Sequence, residues 1–270
     1  MEKRKLTADI VAKIENQSAI EHFDEILEEA DAIMVARGDL AVEVPFEELS
    51  HWQKILIQKS REAGKPVITA TQMLKSMVSN PRPTRAEVSD VANAIYDGTD
   101  AIMLSEETTI GDFPIKAVET QAKIATFNEN FAAAKPIKTS DSDESSYITH
   151  SAVSLLEISS LSTNNINIDK IVCLTETGRT AKLVSRFRPH IPVHALTSNK
   201  QTYKKLSLVF GVKSHVVKLE SNTTLEGSDE LLEKLIESKI AKSGENILLI
   251  HGTFWKKPGL TNTLSILQIP

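Results

Sequence analysis

Charged side chains follow two short apolar runs near the start of the chain. Lys13 and Glu15 are two residues apart, and side chains at that spacing on a strand project to the same side. The next apolar run ends just before Asp39. Because Mg²⁺ is usually held by one or two carboxylates together with phosphate oxygens and water, Glu15 and Asp39 could share a metal. A lysine beside that metal fits phosphoryl transfer, in which positioned positive charge supplies most of the catalysis. A purely structural Lys13–Glu15 pair explains the spacing equally well.

A glycine and two hydroxyl residues also follow the apolar runs that predict strands. Gly38 lies between Arg37 and Asp39, where a backbone that turns tightly or approaches a ligand could offer an N–H to a carboxylate. Thr71 and Ser105 each follow directly on a further apolar run, and their hydroxyls could bind a ligand or relay a proton. An ordinary turn around Gly38, and loop or helix caps at Thr71 and Ser105, are the alternative interpretations.

A third cluster is the segment TETGRT at residues 175–180. It joins an apolar run to a helical pattern, so its hydroxyls and N–H groups would suit a phosphate, although such a turn can equally cap its own helix. The seven histidines show no pair at metal-ligand spacing, and we assign none of them a ligand role. Zinc-finger, Gly-x-Ser-x-Gly hydrolase and Walker A patterns do not occur in the sequence.

The elements that must position these residues form a regular series. Four apolar runs predict buried parallel strands, and the helical pattern after each predicts βα units with right-handed crossovers. The candidate side chains fall where a strand meets its following loop, which is the active face of a (β/α)₈ barrel. One helix start is well marked, with Thr84 as N-cap and Glu87 as its capping-box partner. The expected strands are 10–14, 32–36, 66–70 and 101–104, and the expected helices are 18–30, 46–63, 84–96 and 114–131.

A second domain is predicted after a polar stretch. The fold class is therefore α/β, with half of a TIM (β/α)₈ barrel over residues 1–134, a linker over 135–146 and a separate open α/β-sheet domain over 147–270. The second domain is expected to hold a helix at 147–161, a helix from about Gly178, and strands at 171–175, 193–196, 214–217, 247–251 and 264–269. Because four βα units are half of a barrel, we expect the other half to lie upstream.

Composition excludes several classes of protein. The chain has 270 residues with a formal net charge of −5, which offers no basic surface for nucleic acid. No apolar run approaches the roughly 18 residues of a membrane span, and no apolar segment follows the first charged residues, so we expect a cytoplasmic protein without a membrane partner. Cys173, the single cysteine, lies within an apolar run and is expected to be a small buried residue rather than a reactive thiol.

Several long blocks, in the same order and spacing, resemble the pyruvate kinase family. The likeness extends from about residue 10 to residue 270, which makes it highly specific. The blocks are AKIEN (12–16), MVARGDL (34–40), ATQMLKSM (70–77), NPRPTRAE (80–87), DVANA (90–94), DGTDA (97–101) and PGLTNT (258–263).

This resemblance implies the glycolytic transfer of a phosphoryl group from phosphoenolpyruvate to ADP, giving pyruvate and ATP, with Mg²⁺ or Mn²⁺ and usually K⁺. Lys13 matches the lysine that stabilises the transferring phosphoryl group and the enolate, and Glu15 and Asp39 match the metal ligands. Thr71 and Ser105 match a substrate-contacting threonine and a hydroxyl of the proton relay. The positions that match the substrate-binding part are Ala36, Arg37, Gly38, Asp39 and Thr71.

The resemblance also implies an allosteric site for a phosphorylated effector, a sugar or a nucleotide. The matching positions are Thr175, Thr177, Gly178, Arg179 and Thr180, with Lys256 and Thr261 nearby. The sequence LSEET at 104–108 departs from the family pattern, since Glu106 replaces a residue that is usually small. The effector loop also departs, reading TETGRT at 175–180, which leaves the identity of any effector open. The family's substrate-contacting arginine and asparagine, its monovalent-cation ligands and its lid domain belong to the upstream half.

Half a barrel would leave two sheet edges and an inner face exposed, which favours association. We expect the chain to pair with itself, to pair with an N-terminal half, or to be an excerpt of a longer protein, and we expect activity to need that other half. Two other interpretations stay open: a non-catalytic regulatory fragment that binds phosphorylated metabolites, and an aldolase-like lyase that acts on 2-oxo acids with the same carboxylates.

Overall fold

The computed structural model describes residues 8–132, 137–138, 143–161, 167–218, 229–253 and 261–270. The chain divides into two compact units, residues 1–137 and 138–270, and the division lies inside the predicted linker. Within the described residues, no helix is long and apolar enough to cross a membrane.

The first unit is built on a parallel sheet with the order β1-β2-β3-β4. Its strands are β1 (Val11–Ile14), β2 (Ala32–Ala36), β3 (Val67–Ala70) and β4 (Ala101–Met103). The central strands β2 and β3 are almost wholly buried, whereas the edge strands β1 and β4 are more exposed. The predicted α/β class, with half of a barrel in the first unit, is confirmed.

The helices of this unit differ from the prediction in several places. The α-helix predicted from residue 46 begins at Leu49, and Glu106–Thr109 forms a short helix that was not predicted. The pattern over 18–30 forms two helices instead of one, because the backbone leaves the helical region at His22 (φ −103°, ψ 20°). The segment that directly follows β2 is a short helix rather than a turn. The helices are α1 (Gln17–Glu21), α2 (Phe23–Glu29), α3 (Arg37–Glu43), α4 (Leu49–Glu62), α5 (Arg85–Asp97), α6 (Glu106–Thr109) and α7 (Pro114–Glu129).

Local signals account for the best-defined helix, α5. The hydroxyl of Thr84 accepts from the Glu87 N–H, and the Glu87 carboxylate accepts from the Thr84 N–H, so the predicted capping box is present. At the other end, Gly98 adopts the left-handed conformation (φ 88°) that ends many helices. Helix α4 packs Leu56 and Ile57 against Val35 of the sheet, in the core that supports the ends of β1 and β2.

The second unit is an open sheet with the order β7-β6-β5-β8-β9, in which only β9 runs antiparallel to its neighbour. Its strands are β5 (Lys170–Leu174), β6 (Val193–Thr197), β7 (Val212–Val216), β8 (Asn246–His251) and β9 (Thr263–Gln268). Its helices are α8 (Glu144–Leu161), α9 (Arg179–Ser185), α10 (Lys200–Lys205) and α11 (Asp229–Glu237). Helix α8 begins three residues before the expected position, within the predicted linker. Cys173 is completely buried in the core beneath α8 and α9.

Candidate active site

Three of the predicted site residues come together at the ends of β1 and β2. The Nζ atom of Lys13, on β1, lies 2.5 Å from Oε2 of Glu15 and 2.9 Å from Oδ2 of Asp39. Asp39 stands in the first turn of α3, directly after β2, and the parallel register pairs Lys13 with Met34 of that strand. Two adjacent βα units therefore supply one lysine and two carboxylates to a single place.

The two carboxylates keep this lysine charged. The pKa of Lys13 is raised well above its ordinary value, first by its hydrogen bond to Asp39 and then by the Glu15 carboxylate. All three side chains are about half exposed, so the cluster can be reached from solvent. The arrangement presents a fixed positive charge beside two anionic oxygen donors, which suits a phosphorylated substrate together with a divalent cation.

One oxygen of the cluster is turned away from solvent. Oε2 of Glu15 is shielded from solvent and contacts the Lys13 ammonium at 2.5 Å. Mg²⁺ requires only one or two carboxylates, because water and phosphate oxygens complete its coordination. Glu15 and Asp39 fit that requirement, although the described part of the chain holds no cluster of three or more His, Cys, Asp or Glu at metal distance.

The end of β3 adds a strained turn. Thr71 and Gln72 have φ angles of 71° and 55°, a region that residues other than glycine seldom adopt, least of all β-branched ones. The Thr71 hydroxyl donates to the Ala70 carbonyl at 2.6 Å and accepts from the Gly38 N–H at 2.7 Å. The loops after β2 and β3 are therefore joined through a hydroxyl that we predicted to be functional.

Gly38 allows the backbone after β2 to lie close to Thr71, instead of forming a tight turn. A Cβ atom at this position would lie 3.3 Å from the Thr71 hydroxyl oxygen, which is tighter than most real contacts. In this structure the Gly38 N–H donates to the Thr71 hydroxyl, and its expected role in holding a substrate carboxylate stays a prediction.

The side chain of Arg37 points into the protein. It is almost completely buried, forms an ion pair with Asp90 at 2.7 Å and donates to the Thr71 carbonyl at 2.8 Å. Ala36 is likewise buried, at the last residue of β2. Since neither side chain is available to a ligand, any substrate contact in this segment has to come from its backbone or from Asp39.

Ser105 stands at the end of β4 and makes local contacts. Its N–H donates to Oε2 of Glu107 at 2.8 Å, whereas its hydroxyl has no hydrogen-bond partner among the described residues. The other oxygen of the buried Glu107 accepts from the Leu74 N–H at 3.0 Å. The sequence analysis missed this carboxylate, which ties the ends of β3 and β4 together. Glu106, the departure from the family pattern, forms an exposed ion pair with Lys75.

The segment 175–180 of the second unit caps itself. The Thr175 hydroxyl accepts from the Gly178 N–H at 2.9 Å, and the Thr177 hydroxyl accepts from the Arg179 N–H at 3.4 Å. Gly178 has a φ of 85°, which a residue with a side chain rarely adopts. Two of the N–H groups that would suit a phosphate are therefore bonded within the loop.

The remaining residues of the predicted effector site are paired or undescribed. Arg179 forms an ion pair with Asp143 at 2.5 Å. The hydroxyls of Thr180 and Thr261 lie 2.7 Å apart in a buried position, so the start of α9 is joined to the segment before β9. Lys256 lies outside the described residues. The role of these residues in binding an effector stays a prediction.

Two histidines without an assigned role meet on neighbouring strands. Nδ1 of His194 on β6 lies 3.0 Å from Nε2 of His215 on β7, with the rings stacked. Burial, followed by the charges of His215 and Lys213, lowers the pKa of His194 to about 4. The pairing was not visible in the sequence, because the two residues are 21 positions apart and meet only through the β6–β7 register.

Comparison with known proteins assigns both units. Residues 1–118 match the family domain described as pyruvate kinase, barrel domain, and residues 154–267 match pyruvate kinase, alpha/beta domain. The pyruvate kinase of Bacillus licheniformis is 45% identical over 261 residues, which are 95% of this chain and 43% of that protein. The pyruvate kinase of Eimeria tenella is 40% identical, over 96% of this chain and 49% of that protein.

Solved structures give the same result. A crystal structure of a pyruvate kinase from Cryptosporidium parvum superposes with a TM-score of 0.80 at 35% identity, covering 97% of this chain and 52% of that one. The chain thus spans about half the length of the relatives it matches. It belongs to the pyruvate kinase family, of which it carries a portion of the barrel domain followed by the C-terminal alpha/beta domain.

Proposed function

We propose that this chain supplies the lysine and the metal-binding carboxylates of a pyruvate kinase active site, which transfers a phosphoryl group from phosphoenolpyruvate to ADP and yields pyruvate and ATP. The observation that carries the proposal is the convergence of two carboxylates on the Lys13 ammonium at the ends of β1 and β2, with Glu15 at 2.5 Å and Asp39 at 2.9 Å from its Nζ atom. Membership of the family supports it.

Each residue has a distinct task. The Lys13 ammonium stabilises the negative charge on the transferring phosphoryl group and on the enolate that it leaves behind. Glu15 and Asp39 hold Mg²⁺ or Mn²⁺, which when bound supplies positive charge next to the phosphate oxygens. The close contact with both carboxylates supports this assignment, because it restrains the ammonium beside the proposed metal ligands.

The enolate must gain a proton on carbon to become pyruvate, and hydroxyl groups are suited to deliver it. Thr71 is held at the strained turn beside Gly38, and its hydroxyl accepts from the Gly38 N–H while it donates to the Ala70 carbonyl. The Ser105 hydroxyl is unbonded among the described residues, so it is available to a water or a substrate. We assign Thr71 to the substrate face and Ser105 to the proton relay.

The proposed activity needs partners for this half site. Within the described residues, β1 lies at one edge of the four-stranded sheet and pairs with β2 alone, and its Val11 is exposed. The outer side of such an edge strand presents N–H and C=O groups to another strand. We propose that an N-terminal half of the barrel, or a second copy of this chain, completes the sheet, and that the former brings the remaining substrate contacts and the K⁺ ligands.

A coupled assay tests the proposal. The purified chain is incubated with phosphoenolpyruvate, ADP, Mg²⁺ and K⁺, first alone and then with a separately produced N-terminal half of a relative such as the Bacillus licheniformis enzyme. We expect pyruvate formation in the mixture that exceeds the sum of the two parts. Formation in neither, although the two parts associate, would contradict the proposal and would favour a regulatory chain that binds phosphorylated metabolites.

A further inference from the structure

A buried arginine lies under the strained turn that follows β3. Arg37 donates to the Thr71 carbonyl at 2.8 Å and to the Ala70 carbonyl at 3.3 Å, which are the two carbonyls at the point where the chain leaves the strand. A guanidinium can reach several acceptors at fixed angles, because its donors form a planar fork. The same side chain therefore holds two consecutive backbone positions.

The turn needs such support. Thr71 and Gln72 both have positive φ angles, and consecutive residues other than glycine keep this conformation only where the surroundings impose it. Gly38 holds the side chain of Thr71, because its N–H donates to the Thr71 hydroxyl at 2.7 Å. The contacts that hold the turn in place thus come from two adjacent residues at the start of α3, Arg37 and Gly38.

The Arg37 guanidinium also bonds side chains of two helices, at a distance from Lys13, Glu15 and Asp39 in the fold. Arg37 pairs with Asp90 of α5 at 2.7 Å and donates to the Gln53 side chain of α4 at 3.2 Å. Gln53 in turn donates to Asp97 at 2.9 Å, which also pairs with Lys54. The position of the guanidinium is thereby set by two helices of the scaffold.

We propose that Arg37 is a positioning residue for the reaction, which holds the Thr71 turn so that the Thr71 hydroxyl lies against the Gly38 N–H beside Asp39. This inference deepens the proposed function and rests on it for its catalytic consequence. Arg37 itself touches no substrate, since its side chain is buried and its charge is paired with Asp90.

Hydrogen exchange of one amide tests the positioning role in the chain alone. The Gly38 N–H lies in the first turn of α3, where helical amides lack a partner within the helix, so its protection reports the bond to Thr71 directly. In Arg37→Lys we expect the Gly38 amide to exchange at least tenfold faster, while the Ile68 amide inside β3 is unchanged. Thr71→Ala, which removes the acceptor, sets the fully released rate.

Two further variants keep the result interpretable. Lys54→Met is the matched control, because it removes an ion pair from the same polar network without touching Arg37, and it should leave Gly38 protected. Asp90→Asn weakens the anchor alone and should give an intermediate rate, which provides the test if Arg37→Lys does not fold. If Arg37→Lys or Asp90→Asn folds and its Gly38 amide exchanges within twofold of the wild-type rate, the inference is overturned.

Kinetics in the completed assembly separate this inference from the proposed function. If wild type turns over, Arg37→Lys should lower kcat/KM for phosphoenolpyruvate at least tenfold while the KM for ADP changes less than twofold, since only the Thr71 side of the site is displaced. A parallel loss for both substrates would show a general structural role and would overturn the inference. Absence of wild-type turnover would instead contradict the proposed function, and the exchange measurement would still decide the role of Arg37.

Discussion

At the scale of the residue, Lys13 depends on carboxylates from two elements. Because Asp39 makes the hydrogen bond that raises the lysine pKa most, we expect Asp39→Asn to lower the pKa of Lys13 more than Glu15→Gln does. The Lys13 side chain can be titrated by NMR after selective labelling. Lys59, which pairs with Asp24 elsewhere on the surface, is the control, because neither substitution removes its partner. Equal effects of the two substitutions would contradict the assignment of Asp39 as the dominant partner.

Alanine variants of two glycines with positive φ distinguish the cost of backbone strain from the cost of steric crowding. Gly98 ends α5 at φ 88°, and an added Cβ would lie 2.9 Å from Nη1 of Arg61, whereas Gly244 has φ 85° with open space around it. Both Ala variants incur the backbone cost of about 1 kcal/mol, but only Gly98→Ala also crowds Arg61, so its total loss should be about 2 kcal/mol. Urea unfolding of the two variants measures the difference. A Gly244→Ala loss as large as that of Gly98→Ala would show that crowding contributes nothing.

The two histidines make stability depend on pH. In the unfolded chain His194 gains a proton near pH 6.5, whereas in the folded chain its pKa is about 4, chiefly because of burial and then because of His215 and Lys213. Between these values only the unfolded state binds the proton, so the free energy of unfolding falls as pH falls from about 6.5 to about 4. We expect His194→Gln to reduce that fall by on the order of 1 kcal/mol, a value kept small because the pair is partly solvated. Unfolding curves at pH 7 and pH 5 measure it, and an unchanged pH dependence in the variant would contradict the prediction.

At the scale of the element, Glu87 links the start of α5 to the segment that follows β3. Its carboxylate accepts from Thr84 and from Ser76, and although burial alone would raise its pKa, these hydrogen bonds lower it below the ordinary value. The carboxylate therefore stabilises the fold above its unfolded-state pKa of about 4.3, and this contribution is lost as pH falls through the lower folded-state pKa.

The capping box itself can be tested by substitution. Thr84→Ala removes one cap acceptor and should cost about 1 kcal/mol, while Glu87→Gln should cost stability at pH 7 and make stability less sensitive to pH below about 4.5. Thermal unfolding monitored by circular dichroism checks both variants. Ser207→Ala is the control, because the exposed Ser207 hydroxyl donates only to the nearby Lys204 carbonyl and caps no helix N-terminus. It should stay within about 0.5 kcal/mol of wild type. A Thr84→Ala variant as stable as that control would contradict the role of the cap.

The strands were predictable because buried parallel strands read as continuous apolar runs, and β2 has the expected bounds. The start of α5 was predictable because its capping signal is local in sequence. The break at His22 was not predictable, since it interrupts a continuous helical pattern. The helix at Arg37–Glu43 was not predictable either, since it stands where the glycine suggested a turn. The burial of Arg37 depends on Asp90, which is 53 residues away in sequence, and no local signal announces such a partner.

The candidate site divides in the same way. Lys13, Glu15 and Asp39 could be predicted to meet, because parallel strands bring their carboxyl ends to one edge of the sheet. The left-handed turn at Thr71 could not be predicted, and neither could the hydrogen bond from the Gly38 N–H to the Thr71 hydroxyl. Both arise from the packing of two loops against each other. The effector-site prediction has a weaker basis, since residues 175–179 bond among themselves and Lys256 lies outside the described residues.

At the scale of the whole molecule, the chain corresponds to about half of its relatives, and its first unit is an open four-stranded sheet. Edge strands such as β1 favour association, so we expect the isolated chain to form dimers or larger species. Sedimentation in dilute solution measures the size, and addition of an N-terminal half should convert these species into a mixed complex. A compact monomer that unfolds cooperatively and ignores the added half would contradict this expectation.

The central claim is that Lys13 is the cation on which phosphoryl transfer depends. The most direct measurement is kcat of Lys13→Met in the completed assembly, next to Lys59→Met as a control that also removes an exposed, carboxylate-paired lysine. We expect Lys13→Met to lower kcat at least a thousandfold, equivalent to about 4 kcal/mol of transition-state stabilisation, while its fold and assembly persist. Lys59→Met should stay within twofold of wild type. Equal turnover by the two variants would contradict the claim.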